Sequence, residues 1–159
     1  MPAKEERNMT NPRSIALYGV LLLMVTSCVS VPLAPVEEDA TAKQFSPAQG
    51  KCLVYLVRPA KGVGMGITIT PVVDRQMVGA LKAETYAVVE VSPGKHVVAL
   101  GGSGMETSAA VTIEAEAGQV YFVQVYPKMG MFAARSGVEQ MSEEEGKKLV
   151  QESKLIKGF

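Results

Sequence analysis

Beyond residue 50 the chain is a succession of short apolar runs separated by turn residues, spaced about ten residues apart. Residues 51–58 read as the first strand. Leu53, Tyr55 and Val57 fall on one face, and Cys52, Val54 and Leu56 on the other. Both faces are apolar, which predicts a central strand covered on both sides. Residues 67–73 alternate as a half-buried strand. Pro71 within it predicts an edge or a bulge, because proline has no N–H to give the ladder. Asp74-Arg75-Gln76 predicts a turn into residues 77–81. Strands over 85–91 and 95–100 are expected to form a hairpin across Ser92-Pro93-Gly94, where Pro sets φ and Gly supplies a positive φ. Residues 109–114 alternate again, and Ala117-Gly118 turns the chain into a strand over 119–126. The period then changes. Ser142 followed by Glu143, Glu144 and Glu145 is a capping box, with Lys147, Lys148 and Lys154 trailing. The prediction is a mainly β chain: an antiparallel β-sandwich of about seven strands with one short C-terminal α-helix.

The first 41 residues follow other rules. An apolar run over 15–25 stands behind a polar start carrying Lys4, Arg7 and Arg13. Eleven residues rise about 16 Å as a helix, well short of a roughly 30 Å hydrocarbon core. A run of that length behind a cationic stretch predicts the apolar region of a secretory signal. It ends in Val25-Thr26-Ser27-Cys28, which resembles a bacterial lipobox: an aliphatic residue, two small residues, then cysteine. Small side chains fit the narrow pocket of a signal peptidase. The cysteine thiol would take a diacylglyceryl thioether, and the freed amino group a further acyl chain such as palmitate. Two or more chains anchor stably, at about 0.8 kcal/mol per buried methylene. The expected organisation is a lipoprotein signal peptide over 1–27, a lipidated N-terminus and flexible tether over 28–41, and a β-sandwich domain over 42–159. A flexible tether of that length reaches on the order of 20 Å. Val29, and not Asp, follows Cys28, which favours the periplasmic face of the outer membrane over the inner membrane.

Composition narrows the function. Sixteen basic residues balance sixteen acidic ones, which leaves no electrostatic footprint for nucleic acid. One histidine and two cysteines are too few for the common zinc ligand sets, and neither metal nor cofactor is expected. With Cys28 acylated, Cys52 is a lone thiol inside an apolar run, which predicts a buried, inert side chain. His96 follows a turn and is expected to hydrogen-bond it. A base would need a nucleophile, and no Gly-x-Ser-x-Gly motif is present. The glycine-rich stretches 62–66 and 101–104 lack the Gly-Lys-Ser/Thr ending of a phosphate loop and read as connections. Arg58 is expected to pair with Asp74 or Glu90. Met65, Met129, Met131 and Phe132 lie among glycines and form a candidate contact patch for a partner, since thioethers adapt to irregular surfaces.

Several pieces share one pattern. They are Phe45-Ser46-Pro47, the run from Gly50 to Arg58, Val78-Gly79-Ala80-Leu81, Tyr86, Pro93-Gly94-Lys95-His96, and the run from Ala115 to Phe122. In order and spacing they resemble the DUF2846 family of bacterial lipoprotein-type domains of unknown function, over about residues 45–149. The resemblance implies a β-sandwich-like domain and brings no catalytic residues. The expected function is that of a lipid-anchored cell-envelope protein, held to the membrane through Cys28. Its periplasmic domain would be a non-enzymatic binding or assembly module that meets an envelope protein partner. One rival is a small apolar-ligand carrier with its pocket between the sheets. Behind it stands an envelope hydrolase.

Overall fold

A computed structural model describes residues 30–60, 66–100, 109–129 and 134–158. Nine strands and two helices follow one another among them. Helix α1 (Val36–Ala42) precedes β1 (Cys52–Arg58), β2 (Pro71–Val73), β3 (Gln76–Met77), β4 (Thr85–Val91), β5 (Gly94–Leu100) and β6 (Ala110–Ala115). Then come β7 (Val120–Met129), β8 (Ala134–Met141), helix α2 (Glu143–Gln151) and β9 (Lys154–Leu155). The strands form a five-stranded sheet in the order β8-β7-β1-β4-β9 and a four-stranded sheet in the order β3-β2-β5-β6. This is a mainly β sandwich with a short C-terminal helix.

The apolar character of both faces of β1 is explained by its place at the centre of the larger sheet. Cys52, Val54 and Leu56 face the smaller sheet, within a layer completed by Val73, Val98 and Ile113. Tyr55 and Val57 face outward, among Tyr86, Phe122, Val150 and Leu155. The same alternation runs along β4 and β7, so the larger sheet has one aliphatic face and one aromatic face.

Several local expectations hold. Asp74 and Arg75 both have positive φ, at 48° and 72°, and make a two-residue hairpin turn between β2 and β3. Ser142 caps α2, its Oγ accepting from the Glu145 N–H at 3.3 Å. Others change. β5 is not a hairpin partner of β4: the chain leaves the larger sheet at Ser92-Pro93, and β5 pairs with β2 and β6. Gly94 at φ 135° permits that change of direction. Two pairings are parallel, β1 with β7 and β4 with β9, so the larger sheet is mixed. β8 carries little alternation of its own. It is held by its ladder to β7, where the Tyr126 ring lies over Gly137, the residue opposite it.

The largest departure is in the tether. From Val31 onward this segment is docked on the domain. Leu33 bridges Ile156 antiparallel, the Ala34 N–H donates to the Leu155 carbonyl at 3.0 Å, and the Lys157 N–H donates to the Pro32 carbonyl at 2.9 Å. β9 and this arm therefore cover the β4 end of the sheet in succession. Pro35 stands at the N-cap of α1, and Glu37, Glu38 and Asp39 occupy its first turn, where the helix dipole favours acids. A seven-residue helix is too short to persist alone. Its stability comes from contacts with distant residues, which no local pattern announces.

Candidate functional site

The outer, aromatic face of the larger sheet carries the most elaborated site among the described residues. Tyr55 stacks on Phe122 with ring centroids 5.3 Å apart, and Phe45 tilts over Tyr55 at 5.2 Å. Phe45 holds φ at 54°, a strained value for a bulky side chain, at the point where the chain leaves α1. The Tyr55 hydroxyl donates to the Ala42 carbonyl at 2.5 Å. Burial pushes its pKa up to about 12, so it remains a neutral donor.

Asp39 ties the arm to this face. Its Oδ1 accepts from the Tyr86 hydroxyl at 3.0 Å and from the Leu155 N–H at 2.8 Å. Its Oδ2 meets the Lys43 ammonium at 2.7 Å, and Lys43 also donates to the Ser153 carbonyl at 2.8 Å. Burial alone would raise the pKa of Asp39, but Lys43, the Leu155 amide and Tyr86 outweigh it and hold the carboxyl below its ordinary value. Tyr86 shifts the other way, because burial and the adjacent Asp39 carboxylate both disfavour a phenolate.

Between α1 and the sheet lies an open cleft of about 440 Å³. Its floor is apolar, made by Leu53, Tyr55, Val88 and Leu155, and its rim carries Glu37, Glu38, Thr41 and Ser46. An apolar floor under an acidic rim fits a ligand or peptide with an apolar body and a cationic or hydrogen-bond-donating end. The buried residues of the layer between the two sheets are 0–7% exposed, and the clefts under α1, beside Asp74 and beside α2 lie on outer surfaces.

The other residues singled out in the sequence are engaged structurally. His96 bridges two turns: Nδ1 lies 2.5 Å from Asp74 Oδ2, and Nε2 lies 2.7 Å from the Ser92 carbonyl. A carboxylate and a carbonyl only accept, so this pair of partners favours the protonated ring, which donates through both nitrogens. The Asp74 hydrogen bond raises the pKa of His96, and the same contact lowers that of Asp74. Asp74 is therefore His96's partner. Arg58, 2% exposed, donates through Nη1 to the Leu81 carbonyl at 2.9 Å and to the Ile67 carbonyl. Cys52 is buried, with its thiol 3.1 Å from the Glu116 carbonyl. Among the described residues no cluster of His, Cys, Asp or Glu could hold a metal. Cys28, the lipobox residues Val25, Thr26 and Ser27, and the patch residues Met65, Met131 and Phe132 lie outside the described residues. Met129 is the last residue of β7.

The family model described as "Protein of unknown function (DUF2846)" matches residues 48–138. The chain belongs to the DUF2846 family. It is also 32% identical over 136 residues to a protein of Haemophilus influenzae named "Uncharacterized protein", covering 85% of this chain and 79% of the relative. The DUF2846 match begins just before β1 and ends inside β8. It supplies three of the floor residues, Leu53, Tyr55 and Val88. The rim residues and Leu155 lie outside it. The cleft is thus composite, with a DUF2846 floor and walls from the flanking arm and tail. Asp39, its organiser, lies in the stretch that the sequence reads as a flexible tether. Its partner Leu155 is 116 residues away, so no spacing could signal the contact.

Proposed function

We propose that this chain is a lipid-anchored cell-envelope protein. Acyl chains on Cys28 hold it on the periplasmic face of the outer membrane, and its DUF2846 domain is a binding or assembly module, not an enzyme. The observation that carries this reading is Val25-Thr26-Ser27-Cys28 at the end of the apolar run over 15–25. No helix among the described residues is long and apolar enough to cross a membrane. A non-enzymatic role is supported by how the reactive groups are used: His96 bridges two turns, Asp39 anchors the arm, and Cys52 is enclosed. The cleft under α1 is the surface offered to an envelope partner, with the methionine patch around Met65, Met129, Met131 and Phe132 as a second contact.

The reading is tested by intact mass and membrane fractionation of the wild type beside Cys28→Ala in a bacterial host. The wild type should carry acyl mass and sediment with outer membranes, and the variant should stay as precursor or become soluble. Unchanged mass and location in the variant would overturn the anchor. The carrier reading draws on one observation, the apolar floor of the 440 Å³ cleft, which is large enough for a small ligand. It would place the ligand under α1 and not between the sheets.

A further inference from the structure

We infer that the domain lies directly on the phospholipid surface that holds its anchor, with the N-terminal arm as its membrane face. The inference rests on the acylation of Cys28 proposed above. Val31 is 7% exposed and already belongs to the folded domain. Only three peptide units separate it from Cys28, and at full extension they span about 11 Å, whatever their conformation. A tether running to residue 41 would have given the domain independent motion. A link this short keeps Val31 within about 11 Å of the acylated residue.

The surface beyond Val31 suits that position. Leu33 is 40% exposed and Val36 is 79% exposed, two large aliphatic side chains on the first docked residues of the chain. They do not project from a loose segment. Leu33 is fixed by its bridge to Ile156, and Val36 opens a helix fixed through Asp39. Aliphatic side chains held rigidly near the interface enter the boundary between headgroups and acyl chains by about 5–10 Å. Lys157, exposed and hydrogen-bonded through its amide to Pro32, adds a cation beside them for anionic headgroups. Glu37 and Glu38 follow Val36 and line the cleft, so the cleft opens close to the membrane. Exposed apolar residues elsewhere lack this placement. Met77, 67% exposed, sits on β3 in the other sheet of the sandwich.

The chain contains no tryptophan, so a single introduced one reports its own surroundings. Val36→Trp, Leu33→Trp and Met77→Trp would each be made in the full acylated chain. Each protein would be reconstituted in phosphatidylethanolamine–phosphatidylglycerol vesicles, with and without bromine near the headgroup end of the acyl chains. Emission from Val36→Trp and Leu33→Trp should fall by roughly two-fold in brominated vesicles, as for side chains seated at the headgroup boundary, with Met77→Trp unchanged. Val36→Trp alters an exposed position and keeps the test valid if Leu33→Trp disturbs docking. Quenching at Val36 no greater than at Met77, in protein whose mass carries acyl chains and which floats with the vesicles, would overturn the inference alone. A mass without acyl chains would overturn both it and the reading on which it rests.

Discussion

The two faces of the five-stranded sheet are covered by different means. On the inner face, Val54, Leu56 and Val123 pack against Val98, Leu100 and Ile113 of the second sheet, and the layer is almost wholly aliphatic. On the outer face, Tyr55, Tyr86 and Phe122 are covered by two short helices and a tail. The inner layer closes mainly by apolar contact, because two continuous sheets meet across it, with buried Arg58, two residues beyond Leu56 on β1, donating to the Leu81 and Ile67 carbonyls. The outer layer is closed by pieces too short to stand alone, and tyrosine hydroxyls and one carboxylate pin them in place. Where that cover stops, the apolar floor is left open as a cleft. A patched cover creates a site that a continuous sheet would have filled.

Substitutions should separate the two faces. Leu56→Ala empties space in the inner layer, where the residue is fully buried, and should cost about 3–4 kcal/mol in urea unfolding. Val88→Ala on the cleft floor should cost about 1 kcal/mol, since that residue is only half-buried. Equal losses would contradict the contrast. Next in size is Gly146→Ala. In an exposed helix this change would stabilise by about 1 kcal/mol. Here the new Cβ would lie 2.2 Å from Phe122 Cγ, because α2 sits directly on that ring. A net loss of about 2 kcal/mol is expected, and a gain in melting temperature would refute this packing.

Tyr86→Phe removes one hydrogen bond to Asp39 and should cost about 1 kcal/mol. Its sharper readout is proteolysis, with faster cleavage within the arm than in the wild type and an unchanged core fragment. A cleavage pattern identical to wild type would mean that Asp39 does not hold the arm. Acid should act in the same direction. The pKa of Asp39 is depressed, so its contribution is complete above the ordinary value of 3.8 and is lost as pH falls through the lower folded value.

The smallest effect is expected at the end of the inner layer, where His96 joins Asp74. The pKa of His96 is raised, so its contribution is complete below the ordinary value of 6.5 and fades as pH rises through the higher folded value. The urea midpoint of the wild type should exceed that of His96→Gln at pH 6 and approach it as pH rises into the alkaline range. A difference independent of pH over that range would show that the bridge is not ionic.

The centrality of β1, the 74–75 turn and the cap at Ser142 were legible because each is written in neighbouring residues. So was the enclosure of Cys52, from its place in an apolar run. β9 and α1 were not legible. Two residues and seven residues cannot display a period, and acids beside prolines look the same in a loop as in a docked helix. The partition of β4 and β5 between sheets was also hidden, because Ser-Pro-Gly suits a tight hairpin and a change of sheet equally well.

By itself the sequence determined the β-sandwich class, the buried alternation of β1 and the capped C-terminal helix. Each follows from local periodicity, turn chemistry or spacing. Tertiary structure alone decided that the segment from Val31 is part of the domain, that Asp39 meets Tyr86 and Leu155, and that a cleft remains under α1. These depend on contacts between the two ends of the chain, whose entropy of closure is repaid only once the sheet between them has formed.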